Sequence, residues 1–252
     1  MSSLHDLAVN LLATALAFTF GRSYERMRTL WRFRSVRAFW KPFVTGDLKV
    51  ITSIFIQQEH YIWERSGLVG VGDVMALNEL RQQLQKAGVN QLPLTPSHQL
   101  TGLERRGNLV LVGGPHSNQV TAEVMQRLPL TFHFGSAETP DANIYDASSG
   151  DVMQCMVGES DQLLVDQGIL IRAANPFNPE RNVIILAGSF GFGTSAAAQL
   201  LAGPELLAHP IASAGLPFEA TFSVEIAGGT PQRIELRAVR RLDSRVIRTG
   251  QP

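Results

Sequence analysis

The stretch LVLVGGPHSNQVTAEVM, residues 109–125, decides the fold. Leu109 to Val112 form a short unbroken apolar run, the pattern of a strand covered on both faces rather than one with a wet side. Gly113, Gly114 and Pro115 stop it, and helical spacing begins at once, from about Asn118 to Leu128. A buried strand that passes through a glycine turn into a helix is the repeating unit of an α/β sheet. The same grammar recurs at VIILAGSFGFGTSAAAQLL, residues 183–201, where Val183–Ala187 is the clearest buried strand in the chain.

Working outward, Pro42 and Gly46 mark a boundary, and DLKVITSIFI (47–56) reads as a first strand rich in β-branched residues. Asp73 to Ala87 carries helical periodicity through Val74, Leu77, Leu80 and Leu84, closed by Gly88. Thr131–Phe134 is a short strand, and GSAETPDANIYDASSG (135–150) an exposed loop. Val152–Val157 and Gly168–Arg172 read as strands that pair antiparallel through GESDQLLVDQ, and Asn175–Pro179 as a rigid turn. The segment 218–242 alternates around Gly228 and Gly229 as a β-hairpin. The expected architecture is α/β: a Rossmann-like or flavodoxin-like three-layer body over residues 44–252, with a mostly parallel sheet and a C-terminal β-hairpin. An N-terminal helix within residues 1–43 precedes it.

Composition narrows the function classes. The chain has 252 residues, 44% of them hydrophobic, enough for a sizeable core. Lys+Arg and Asp+Glu balance at 22 each, so net charge gives no support to a nucleic-acid partner. The lone Cys155 excludes an internal disulfide and a multi-thiolate metal site, and the six scattered histidines show no metal-ligand spacing. No metal and no resident cofactor are expected.

The amino terminus is unlike the rest. Residues 4–20 read LHDLAVNLLATALAFTF, and residues 22–41 carry seven Lys/Arg against Glu25 alone. The uncharged run from Leu7 to Phe20 spans about 21 Å as a helix, short of a bilayer's roughly 30 Å core. Extension from Leu4 to Tyr24 reaches about 31 Å. A membrane anchor over residues 4–24 is the expectation, its following arginines placing the body in the cytoplasm of a bacterial inner membrane. Trp31, Phe33, Phe39 and Trp40, interleaved with arginines, fit a membrane interface. A core or oligomer-forming helix with a solvated basic continuation is the competing reading, and a basic nucleic-acid arm a third.

The glycine turns repeat. Gly67, Gly70, Gly72 and Asp73 are followed by Ala76 and Leu80; Gly188, Gly191, Gly193 and Thr194 are followed by Ala197 and Leu201. Both fit G-x-x-G-x-G-[DT]-x-x-A-x-x-x-L. Glycines permit close backbone approach, Asp73 and Thr194 can cap a helix start, and the alanines let each helix lie close on a sheet. The pattern is neither the dinucleotide fingerprint nor a Walker A loop nor a nucleophile elbow. In an open α/β sheet such turns sit at the strands' carboxyl edge, where helix N-termini meet anions. The expected ligand-binding set is therefore Gly113, Gly114, His116, Ser117, Asn118, Gly188, Ser189, Gly191, Gly193 and Thr194, with Arg172 as phosphate partner and Asp73 on a ribose hydroxyl. The bland alternative is that the glycines only make turns.

Catalysis is not required by any spacing. Glu59, following the first strand, is the candidate nucleophile, and His116, in a glycine turn, the candidate acid–base group. Glu79, Asp146, Asp166 and Ser189 are further candidates that a turn or surface role explains as well.

The blocks GLVGVGDVMAL, LVGGPHSNQVTAEVM, DQGILIRAANPF and VIILAGSFGFGTSAAAQLL resemble a family of bacterial proteins in which a short membrane segment precedes a Rossmann-like domain. The layout is similar to membrane-anchored effectors of nucleotide-signalled antiphage systems. The resemblance implies a nucleotide sensor acting through a homo-oligomer, and the enzyme alternative is a hydrolase or transferase at an N-glycosidic bond.

Overall fold

The structure, a computed structural model, describes residues 18, 19, 22, 24, 33–55, 65, 67–135 and 142–243. Helix α1, Arg34–Val44, buries Val36, Phe39, Trp40 and Phe43, a spacing of three and four residues that puts all four on one stripe. Strand β1 is Leu48–Thr52, α2 is Val71–Lys86, β2 is Leu94–Pro96 and β3 is Asn108–Val112. Helix α3, Gln119–Met125, leads to β4 (Phe132–Phe134), β5 (Ile144–Asp146), β6 (Val152–Met153) and β7 (Met156–Val157). Two long strands follow, β8 (Leu163–Asn175) and β9 (Asn178–Gly188), then α4 (Gly191–Leu200), α5 (Pro204–Ala208) and α6 (Pro210–Ser213). Strands β10 (Phe218–Ala227) and β11 (Thr230–Arg241) close the described chain.

The central sheet has the order β11-β10-β8-β9-β3-β1-β2, with β7 added on β8. It is mixed. Strands β2, β1, β3 and β9 run parallel, and β9, β8, β10 and β11 antiparallel. The expected C-terminal hairpin is β10–β11. The difference from a mostly parallel sheet lies in β8. Asn175 to Asn178 is the turn of a second hairpin, and β8 begins at Leu163, inside the segment read as a connection. Its register pairs Ile171 with Ile185 and Gly168 with Gly188, so the buried strand Val183–Ala187 is parallel to β3 on one side and antiparallel to β8 on the other.

Three layers result. One apolar cluster joins Val50, Val110, Val112, Ile184 and Leu186 of the sheet to α1, α2 and α4. The second, on the alternate residues Ile51, Leu109, Leu111, Val183 and Ile185, packs under Val120 and Val124 of α3. Phe132 and Ile144, from a separate antiparallel sheet β4-β5-β6, complete it. Part of the segment read as an exposed loop is thus a buried strand. The small sheet is fastened to the hairpin by buried Glu219, whose carboxylate accepts from the Thr131 and Phe132 amides, and by Arg240 on Asp146.

The membrane reading is corrected. Among the described residues no helix is long and apolar enough to cross a membrane, so the expected anchor and inner-membrane localisation are not borne out. Most of residues 4–24 lie outside the described residues. Two of the four aromatic residues taken for an interfacial belt have another explanation: Phe39 and Trp40 are core residues of α1, with Trp40 fully buried and its Nε1 donating to Gln83 Oε1 of α2 at 3.3 Å. Gln83 Nε2 in turn donates to the Ala198 carbonyl of α4 at 2.7 Å, tying three helices through one buried amide. Helix α1 runs through Pro42 rather than ending at it.

Candidate functional site

Strands β1 and β3 are neighbours in the sheet, yet α2, which follows β1, lies on one face and α3, which follows β3, on the other. Their carboxyl ends therefore bound a crevice that neither crossover covers, the place where open α/β sheets hold ligands. A pocket of about 580 Å³ occupies it. Its walls come from all three glycine turns: Gly70 to Asp73, Gly114 to Ser117, and Gly188 to Phe192 with Thr194. Phe55, Phe134, Ala142 and Leu163 complete it.

The first turn reaches this edge through a device hidden in the sequence. Phe55, just past β1, exchanges two backbone hydrogen bonds of 2.8 Å with Leu68, so Leu68 stands at the strand's carboxyl end just before α2 starts. Helix α2 begins at Gly70 without a side-chain cap. Asp73, in its first turn, is not the cap; its carboxylate accepts a short hydrogen bond from Ser53 Oγ at the end of β1. Burial pushes the Asp73 carboxyl above its ordinary range, opposed by the Ser53 bond.

The two copies of the repeat meet. A Cβ on Gly72 would fall 1.9 Å from the Gly191 carbonyl oxygen, so the N-terminal ends of α2 and α4 touch backbone to backbone. Ala76, Leu80, Ala197 and Leu201 are all fully buried beneath that contact. The repeat is thus a helix-pair packing signature that also brings two turns to one pocket.

The Gly188 turn is not an open anion cradle. Asp166, fully buried on β8, accepts from the amides of Phe190 at 3.0 Å, Gly193 at 2.5 Å and Gln167 at 2.8 Å. Burial raises its pKa and these donors pull it down. The donors expected to hold a phosphate already hold the chain's own carboxylate. Thr194 Oγ accepts from the Gly188 amide at 3.1 Å, bracing the loop rather than facing a ligand. Gly193 is needed for packing, since a Cβ there would lie 2.5 Å from the Gln167 carbonyl oxygen.

The third turn divides similarly. Gly114, His116 and Ser117 line the pocket, with exposed His116 Nε2 3.0 Å from the Gly135 carbonyl oxygen. Asn118 is fully buried; its Oδ1 accepts from the Val120 and Thr121 amides as the α3 cap, and its Nδ2 donates to Ile51 and Val112 carbonyls. Gly113 holds φ +101° and sits against Ser53 and Ser117 Oγ. Both are structural.

Arg172 is elsewhere. It lies on β8 opposite Ile184, its guanidinium 4.9 Å from the Phe39 ring centroid under α1, not at the glycine edge. Among the candidate catalytic groups, Glu59 lies outside the described residues. Glu79 accepts from Gln83 on α2. Asp146 is paired with Arg240, which holds its carboxyl well below the usual range. Cys155 donates to the Ala142 carbonyl at 3.1 Å, and burial with nearby Asp166 pushes its thiol up to about 11, so it stays protonated. Ser189 Oγ, at the pocket wall, makes no hydrogen bond of ordinary geometry; the Cys155 thiol is its weakly polar neighbour. No group of three or more His, Cys, Asp or Glu poised for a metal occurs among the described residues.

Among the described residues the pocket is lined by aromatic and glycine surface, one buried carboxyl and hydroxyls, with no Lys or Arg in its walls. The phenylalanines Phe55, Phe134, Phe190 and Phe192 escaped the sequence reading because nothing in their spacing marks them; only the Phe55–Leu68 clasp and the loop closures bring them together. No protein-family model matches the chain, and no curated protein matches it.

Proposed function

We propose that the chain is a nucleotide-binding module on a Rossmann-like body, with the nucleoside part of the ligand seated in the glycine pocket. The observation that carries this is the convergence of three glycine turns, distant in sequence, on one crevice at the carboxyl edge of β1, β3 and β9. Its walls suit a nucleoside. Phenylalanine faces give a base apolar surface on which to stack, worth about 1–3 kcal/mol per base in single-strand binders. Asp73, braced by Ser53, is an acceptor for sugar hydroxyls. The Asp166 carboxylate, which already occupies the amides of the Gly188 loop, argues that the sugar and base rather than a polyphosphate supply the recognition. A phosphate, where the ligand has one, is best met at the uncapped start of α2.

A second reading is favoured by one observation: Asp73 is a buried carboxyl with a raised pKa facing a pocket, a common property of acid–base groups. On that reading the protein is a hydrolase or transferase acting at the N-glycosidic bond. One experiment separates them. The full chain is incubated with nucleosides, nucleoside mono- and diphosphates and nucleotide sugars, and each mixture is resolved by mass spectrometry after filtration. Retention of an intact ligand is the expected result; release of free base would favour the enzyme, and retention of none would overturn the nucleotide reading.

A further inference from the structure

One glycine of the pocket is explained neither by backbone conformation nor by packing. A Cβ on Gly72 or Gly188 would collide with a backbone oxygen, and one on Gly114 or Gly191 would stand within 3.4 Å of backbone. Gly70 differs. Its φ of −63° and ψ of 142° suit any L-residue. Among the described residues, the atoms around its Cβ position are Asp73 Oδ2 at 3.8 Å and Phe55 Cε2 at 3.9 Å, both ordinary contacts. The bare position thus opens between a carboxylate and an aromatic ring, and both residues are pocket walls.

The carboxylate is poorly supplied with donors. Asp73 is 5% exposed, and among the described residues it accepts from Ser53 Oγ, on Oδ2, and from no other group. No described residue forms an ion pair with it. Buried Ser53 links it to a second oxygen. Ser53 Oγ and Ser117 Oγ lie 2.8 and 3.1 Å from the place a Cβ on Gly113 would take, so the two hydroxyls flank that residue. Ser117 lines the pocket, and its Oγ donates to the Gly114 carbonyl at 3.3 Å, which leaves the hydroxyl oxygen as an acceptor. Asp73 and Ser117 therefore give one wall two acceptors joined through Ser53.

We propose that the gap over Gly70 is a sugar subsite that selects ribose over 2′-deoxyribose, with Asp73 and Ser117 accepting from the vicinal hydroxyls and Phe55 covering the sugar. The inference rests on the nucleotide reading of the glycine pocket and adds the identity of the sugar to it. An ionised carboxylate only accepts, so it fits a group that brings two O–H donors. A 2′-deoxy sugar excludes water from the same oxygens and leaves one of them without its donor, which is how a site built for a hydroxyl rejects the analogue lacking it.

The test uses the full chain and matched probes. Adenosine, guanosine, cytidine, uridine and their 5′-monophosphates are each compared with the 2′-deoxy counterpart by titration calorimetry. At least one ribo member should bind roughly tenfold or more tightly than its 2′-deoxy counterpart. Ribo and deoxy members that bind alike would overturn the sugar subsite and leave the nucleotide reading standing; binding of no probe would overturn both. Gly70→Val meets only ordinary contacts at its Cβ, so it should melt close to the wild type, yet its side chain fills the gap and should weaken the ribo ligand roughly tenfold or more. Asp73→Ala should erase the preference for ribose. Undiminished affinity in a folded Gly70→Val, or a full preference in Asp73→Ala, would also overturn the proposal. Should either variant fail to fold, the wild-type ribo-to-deoxy ratio decides alone.

Discussion

Gly72→Ala sets two physical effects against each other with opposite signs. Helix propensity rewards the change by up to about 1 kcal/mol, because Gly72 lies inside α2 and alanine loses less backbone entropy on folding. Packing opposes it. The added Cβ would stand 1.9 Å from the Gly191 carbonyl oxygen and 2.2 and 2.5 Å from that residue's C and Cα. Ordinary contact begins near 3.4 Å, so the starts of α2 and α4 must part by roughly 1.5 Å. Both partners are backbone, so no side chain can swing aside, and the cost belongs at the upper end of overpacking, about 3 kcal/mol. A net loss of about 2 kcal/mol follows, equivalent to a fall in Tm of roughly 4–8 °C for a domain of this size. Gly191→Ala is the control. Its Cβ meets Gly72 Cα and N at 3.3 Å, a misfit of tenths of an ångström, so that variant should stay within about 1 kcal/mol of the wild type. Urea unfolding followed by far-UV circular dichroism, with the slope m checked for constancy, measures both. A Gly72→Ala protein as stable as the wild type, or a Gly191→Ala protein less stable than Gly72→Ala, would refute the helix-pair reading of the repeat.

Gln83→Ala strands the Trp40 indole N–H and the Ala198 carbonyl, and should cost about 2–4 kcal/mol in urea unfolding while shifting tryptophan emission. Arg240→Met breaks the ion pair on Asp146; because the Arg240 side chain is 33% exposed the loss should be about 1–3 kcal/mol, with hydrogen exchange quickening first in β4, β5 and β6. Asp73→Asn tests the buried carboxyl through pH. A carboxyl whose folded pKa stands above its unfolded value holds its proton more tightly in the folded chain, so its contribution is favourable at low pH and is lost as pH rises through the folded pKa. The stability of the wild type relative to Asp73→Asn should therefore fall as pH rises above the ordinary carboxylate range; a gap that stays constant as pH rises would contradict the assignment.

Much of the architecture could be read from local pattern because buried strands and glycine-ended helices advertise themselves. Leu109–Val112 and Val183–Ala187 fall within β3 and β9, and Asp73–Ala87 follows α2 to its C-cap, Ala87. Strand direction was harder. Asn175 to Asn178 reads as a turn, but nothing local says that the strands on either side pair for most of their length, and that pairing makes the sheet mixed. The glycine repeat drew attention to the right turns for a partly different reason: Gly72 and Gly191 are small because they touch each other, and Gly193 because Gln167 lies above it. Asn118 and Thr194 read equally well as ligand contacts or as braces, and their burial decides for braces. Asp166 had no local mark that would place its carboxylate in a loop more than twenty residues away; only the β8–β9 register does so. Arg172 was read as a phosphate partner of the glycine turns, but the β8–β9 register pairs it with Ile184, four residues along the strand from the Gly168–Gly188 pair at that edge.

The central claim is that the crevice at the carboxyl edge of β1, β3 and β9 binds a nucleoside or nucleotide. Its most direct test is the melting temperature of the wild type and of Phe190→Ala, a variant at a half-exposed pocket wall, across a nucleoside and nucleotide panel. Ligand at 100 times its Kd should add about 2.7 kcal/mol, a rise of roughly 5–11 °C, in the wild type. Phe190→Ala should fold normally and lose most of that rise. No rise across the panel, or an equal rise in both proteins, would contradict the claim.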